Sequence, residues 1–205
     1  MKIIGLTGGS GSGKGVVSEM FATLDIPTID TDAVYREMTE TDSPCLKALV
    51  DEFGEGILSE SGTLNRTALA ELVFSGKEAV AKRARLNEIT HKFILDETRS
   101  RLSKYKAMGY RLAVVDAPVL FESGFDKECD FIICVTADRE LRIERITLRD
   151  RISKEKAEMR INSQIPEDVI ASRCDYVINN NGDLESLRIA VHNAVREIEL
   201  NKNER

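Results

Sequence analysis

Gly8, Gly13 and Lys14 stand at the spacing G-x-x-x-x-G-K, within a run from Gly5 to Gly15 that reads GLTGGSGSGKG. That spacing suits a polyphosphate. Glycines let the backbone curl around an anion, so that N–H groups of Gly8, Gly9, Ser10, Gly11, Ser12 and Gly13 point inward. A helix starting near Gly13 adds the positive end of its dipole. Lys14 reaches the outer phosphates as a point charge. The next position usually supplies a hydroxyl to Mg²⁺, but here it is Gly15, followed by Val16. Without that hydroxyl the ion must be held through water or other groups, and we expect weaker Mg²⁺ affinity. A dinucleotide fingerprint, G-x-G-x-x-G, fits worse: Lys14 stands where its last glycine, after Gly9 and Gly11, should be. A glycine-rich turn that binds nothing is disfavoured, because an apolar run precedes the loop and a helical pattern follows it.

Acids stand where such a loop needs them. In open α/β sheets, ligands bind outside the carboxyl ends of the strands. Asp30 and Asp32 close one short apolar run, and Asp116 closes another, with Glu122 shortly after. One acid could take a proton from an attacking hydroxyl, and another could hold Mg²⁺ directly or through water. A helix N-cap is the competing use for Asp30 or Asp32. Both cannot fill one cap, so one is left for chemistry. Asp116 is the better placed for metal. Cations gather at Arg139, Arg142, Arg145, Arg149 and Arg151, then Lys154, Lys156 and Arg160. Arg142, Arg145 and Arg149 share a helix face. Most of these are expected to be solvated and paired with nearby acids. Arg145 and Arg149 are the expected exceptions, reaching phosphates when a flap closes.

Short strands and longer helices must carry these residues. Lys2–Leu6, Pro27–Asp30, Arg111–Asp116, Phe131–Thr136 and Tyr176–Ile178 read as strands. Gly13–Leu24, Ala33–Thr39, Asp138–Asp150 and Asp183–Leu200 read as helices. Alternation of this kind predicts an α/β fold with a parallel sheet flanked by helices. Residues 41–108 break the pattern: they are mostly helical with no clear strand, and 77–106 is one long helix or two. We expect a single domain over 1–205. Its core comprises about 1–40, 109–150 and 171–205, with a helical acceptor-binding insert at about 41–108 and a lid at about 151–170, broken near Pro166.

Composition narrows the function. Lys+Arg number 29 against 35 Asp+Glu in 205 residues, a net charge of −6. That balance argues against a general nucleic-acid or anionic-membrane partner. No apolar stretch approaches a membrane span. Cys45, Cys129, Cys134 and Cys174 are scattered, and with only His91 and His192 beside them a zinc site or disulfide framework is not expected. Reduced thiols suit a cytoplasmic protein. We expect a monomer. His91, in a helical pattern, reads by itself as a packed or capping histidine.

The segments GLTGGSGSGK, DTDAV, ITHKFI, DAPVLFESG, LRDR, RINSQ and VINNNG, in this order, resemble the dephospho-coenzyme A kinases from Ile3 to about Leu187. The resemblance implies a P-loop kinase fold with a lid. It also implies transfer of the ATP γ-phosphoryl group to the ribose 3′-hydroxyl of dephospho-coenzyme A, the last step of coenzyme A biosynthesis, with Mg²⁺. It casts Asp32 as the base and makes Lys14 and Arg145 catalytic. Residues 8–16, Arg145, Arg149, Asn180 and Asn181 are implied on ATP. Thr7, Asp32, His91 and Asp116 are implied on the acceptor. Three departures stand out: Gly15 for Ser or Thr, Thr90 and Lys92 around the histidine in place of leucine and proline, and Leu148 for glutamine. Another small-acceptor nucleoside or nucleotide kinase, or an ATP-binding module without catalysis, remains an alternative. A panel of acceptors would separate the kinases, and ATP binding without acceptor-dependent ADP would mark the inactive module.

Overall fold

The computed structural model describes residues 1–40 and 42–200. Thr41, where the sequence places the start of the insert, and residues 201–205 lie outside the described residues. In chain order the elements are β1 (Lys2–Thr7), α1 (Lys14–Thr23), β2 (Thr28–Asp30), α2 (Thr31–Met38), α3 (Pro44–Phe53), α4 (Arg66–Phe74) and α5 (Ala79–Ala107). Then follow β3 (Leu112–Asp116), β4 (Phe131–Thr136), α6 (Arg139–Asp150), α7 (Lys154–Asn162), α8 (Glu167–Ala171), β5 (Tyr176–Asn179) and α9 (Leu184–Leu200). The chain forms two compact units, one of residues 1–29 and 105–205, the other of 30–104.

The first unit is built on a five-stranded parallel sheet in the order β2-β3-β1-β4-β5. A parallel sheet covered on both faces needs strands that are apolar throughout, and β4 (FIICVT) is buried from Phe131 to Val135. Ile4, Leu6, Val17, Phe21, Val114, Ile133 and Val135 have no exposed surface, and Leu187, Val191, Ala194 and Ile198 of α9 join their cluster. Each fully buried side chain of this size contributes about 1.5–3 kcal/mol. Register sets what the sheet presents. Leu6 pairs with Asp116 and Thr7 with Cys134, so the loop after Thr7 leaves the sheet beside the Asp116 carboxylate. Helix α7 packs on α6 through Ala157 and Ile161 against Ile143 and Ile146.

The second unit is helical. Each short helix has a visible start signal. The Ser43 hydroxyl accepts from Leu46 N–H with Pro44 in the first turn of α3, and the Asn65 carbonyl accepts from Ala68 N–H. Cys45, Leu46, Leu49, Ile57, Leu64, Leu69 and Val73 form its core, with Leu86, Ile89 and Phe93 of α5 packed against them. Helix α5 is one continuous helix of 29 residues.

Candidate functional site

The loop after β1 is held in shape by glycine geometry and by a ring of polar side chains. Gly13 precedes α1 in the left-handed region at φ 92°, and a Cβ there would stand 2.1 Å from Asn180 Nδ2. No other residue fits both constraints. Helix α1 then starts cleanly, with Val16 N–H and Val17 N–H donating to Gly13 O. Lys14 forms a close ion pair with Asp116. Asp116 is only 5% exposed, so the ammonium offsets a carboxylate that burial would otherwise penalise. Among the described residues, Ser12 Oγ is buried with no hydrogen-bond partner. A Cβ at Gly15 would meet nothing within 4 Å, and Val16 is exposed beside it.

Four side chains from outside the loop grip it. Asn180, which follows β5 and is buried, donates from Nδ2 to Ser12 O at 2.7 Å, while its own N–H donates to Thr136 O. Arg145 donates to Asn180 O at 3.0 Å and, at 3.4 Å, to the carbonyls of Gly11 and Ser12. Arg142 lies over Gly9 and Ser10. Its Nε donates to Ser10 O at 2.9 Å, Nη1 to Glu167 at 3.2 Å and Nη2 to Gln164 Oε1 at 3.3 Å. Gln164, between α7 and α8, in turn accepts from Ser10 N–H at 3.0 Å and donates to Ser10 Oγ at 3.2 Å. Burial pushes the Glu167 carboxyl up, against the pull of Arg142.

Arg142 overturns the expectation of a solvated cation, since it is 6% exposed. The face it shares with Arg145 was the available signal, together with Ile143 and Ile146 beside it, which bury that side of α6. Gln164 had no signal beyond its place in the RINSQ segment. Arg149 instead lies against Asp150, donating at 2.8 and 3.0 Å, and Arg160 donates to the same carboxylate. These guanidiniums pull the Asp150 carboxyl down to about 2. Asn181 exchanges two 2.7 Å bonds with Asp138 and so braces the start of α6.

The remaining candidates are settled in their own elements. Asp30 is the cap of α2: its Oδ1 accepts from Asp32 N–H at 2.8 Å and Ala33 N–H at 3.2 Å. Asp32 lies exposed in the first turn, so its carboxylate is not committed to the cap. The helix begins at Thr31, ahead of the expected Ala33, because Asp30 and not Asp32 fills the cap. His91 is half-buried on α5 beside Thr90, whose hydroxyl donates to Leu86 O. Thr7 is buried at the end of β1.

A family model described as dephospho-CoA kinase matches residues 2–186. The chain belongs to the dephospho-CoA kinase family. A dephospho-CoA kinase of Syntrophotalea carbinolica is 40% identical over 188 residues, covering 92% of this chain and 88% of that one. One of Bdellovibrio bacteriovorus is 39% identical over 204 residues, covering both chains in full. Among solved structures, TT1252 from Thermus thermophilus superposes with TM-score 0.81 at 28% identity, covering 99% of this chain and 98% of that one. The strand–loop–lysine–helix unit on a parallel sheet is thus the P-loop kinase fold of this family, and a member of the dephospho-CoA kinases is an ATP-using transferase. No helix among the described residues is long and apolar enough to cross a membrane.

Proposed function

We propose that the chain transfers the γ-phosphoryl group of ATP to the ribose 3′-hydroxyl of dephospho-coenzyme A, giving coenzyme A and ADP. The observation that carries this reading is the family match over residues 2–186, with the phosphate loop and Lys14 intact inside it. In the transfer, a bond forms between the 3′-oxygen and the γ-phosphorus. The bond from that phosphorus to the β–γ bridging oxygen breaks, and ADP leaves. Asp32 accepts the hydroxyl proton. Lys14 moves from Asp116 to the phosphates and offsets charge there, and Arg145 and Arg149 add to that field as the segment 151–170 excludes water. Thr7, His91 and Asp116 serve the acceptor side, while residues 8–16, Asn180 and Asn181 hold ATP. Four free thiols, at Cys45, Cys129, Cys134 and Cys174, suit a reducing cytoplasm.

The donor set fits Mg²⁺. A nearly buried carboxylate, Asp116, stands beside the loop lysine, and the open space at Gly15 admits water. Mg²⁺ characteristically keeps several waters and takes only one or two carboxylates with substrate phosphates. Asp116 would hold it directly or through water, and the ion would supply charge neutralisation at the phosphates. Because no clash meets a side chain at position 15, Gly15→Ser is expected to fold normally. It should lower the Mg²⁺ concentration for half-maximal activity by about threefold or more, a hydroxyl ligand replacing a water. Titrating Mg²⁺ against activity and against ATP binding checks this, and unchanged curves would remove the missing hydroxyl as a determinant.

The reading itself is tested by measuring ADP release from MgATP with and without dephospho-coenzyme A and weighing the product by mass spectrometry. Stimulated release with a mass gain of one phosphoryl group is expected. ATP binding without stimulation would instead support a different acceptor or an inactive module.

A further inference from the structure

We propose that Arg142 is a positioning residue that pre-organises the phosphate loop by joining the backbone of Ser10 to Gln164 in a closed hydrogen-bonded ring. The ring is complete in the structure. Arg142 Nε donates to Ser10 O, Ser10 N–H donates to Gln164 Oε1, and that same oxygen accepts from Arg142 Nη2. One residue of the loop, Ser10, is therefore held at both its N–H and its carbonyl, which fixes the two consecutive peptides that flank it. Gln164 Nε2 adds a further bond to Ser10 Oγ.

Arg142 is not a phosphate ligand in disguise. Each of its guanidinium nitrogens already donates to a protein oxygen, including Nη1 to Glu167, and its side chain is 7% exposed. The planar fork suits this task, since it fixes donors in set directions that a lysine cannot reproduce. The approach of α6 also explains glycines that the phosphate-binding spacing does not require. A Cβ at Gly9 would lie 2.3 Å from Arg142 Nη2, and one at Gly11 would lie 2.6 Å from the Arg142 carbonyl. Gly9 leaves room for the Arg142 guanidinium, and Gly11, itself at φ 80°, leaves room for the helix backbone at Arg142.

The consequence is a link between the segment carrying Gln164 and the affinity for phosphates. A flexible glycine loop loses conformational freedom when it closes on an anion, and a brace that orders it beforehand reduces that cost. The inference rests on the loop being the ATP site, though not on the identity of the acceptor.

The test compares wild type with Arg142→Leu, Arg142→Lys, Gln164→Leu and the double Arg142→Leu/Gln164→Leu variant. MgATP binding is measured by calorimetry without acceptor, and KM and kcat are measured with dephospho-coenzyme A. Arg142→Leu is expected to weaken MgATP binding about tenfold, through KM rather than kcat, because pre-organisation is lost and no reacting atom loses a contact. Gln164→Leu should weaken it in the same sense. The double variant should be little worse than Arg142→Leu, since one broken ring cannot be broken again. Arg142→Lys should stay weak. Wild-type affinity in Arg142→Lys would reduce Arg142 to a charge partner of Glu167 and overturn the proposal, as would additive losses or unchanged binding in Gln164→Leu. If Arg142→Leu does not fold, Arg142→Lys and Gln164→Leu decide alone. If wild type binds MgATP but makes no coenzyme A, the acceptor reading fails while the binding comparison still stands.

Discussion

Lys14→Met is expected to lower kcat/KM by about a thousandfold, the scale seen when one charge-stabilising donor is taken from a phosphoryl- or acyl-transfer site. The lysine is the one cation in the loop's own sequence, it opens α1, and its ammonium contacts the Asp116 carboxylate. Methionine keeps the length and apolar stem but removes the charge. The structure adds a second consequence. Asp116 is 5% exposed, and taking the ammonium from a buried ion pair of this kind costs about 3–5 kcal/mol of stability. Thermal unfolding should therefore fall together with activity. Adding Asp116→Asn should recover the melting temperature and leave turnover low. Recovery of both would mean that Lys14 serves the fold through Asp116 and not the phosphates. Unchanged turnover in Lys14→Met would remove it from the chemistry.

What could be read from the sequence follows a physical divide between local and distant determinants. The strands were legible because β-branched runs bounded by turns have few other uses, and β1, β3, β4 and β5 each lie within a residue of the expected bounds. The loop was legible because its spacing is a short-range code. The periodicity over 77–106 allows one helix or two, yet no glycine or proline falls between Lys77 and Ala107, and nothing local interrupts α5. The division of labour between Asp30 and Asp32 was not legible, since two acids one residue apart can each cap, and backbone geometry chose Asp30. Arg142 departs from its local sequence pattern for a clearer reason. Its partners Ser10 and Gln164 are 132 and 22 residues away, whereas the acids that suggested a solvated face are its immediate neighbours. A charge run reports its own helix, and burial is decided by what packs on that helix.

The same choice at Asp30 makes Asp32 the cleanest place to test the chemistry. Asp32→Asn is expected to lower kcat about a hundred- to thousandfold, the usual worth of a positioned general base. ATP affinity should change by less than about twofold, because a group acting only on the acceptor hydroxyl contributes no ground-state binding to the nucleotide. Asparagine is nearly isosteric, and the cap of α2 is supplied by Asp30, so the fold should be untouched. The matched control is Asp30→Ala. Losing the two cap bonds to Asp32 N–H and Ala33 N–H should cost about 0.5–2 kcal/mol of stability. It should reduce turnover far less than Asp32→Asn, since it loosens the helix start without removing the proposed base. Pre-steady-state measurement of the transfer step separates the two, because only Asp32→Asn should slow the chemical step itself. Should the two variants exchange behaviours, with Asp30→Ala abolishing transfer and Asp32→Asn remaining active, the base would be Asp30 and the cap a secondary use of the same carboxylate.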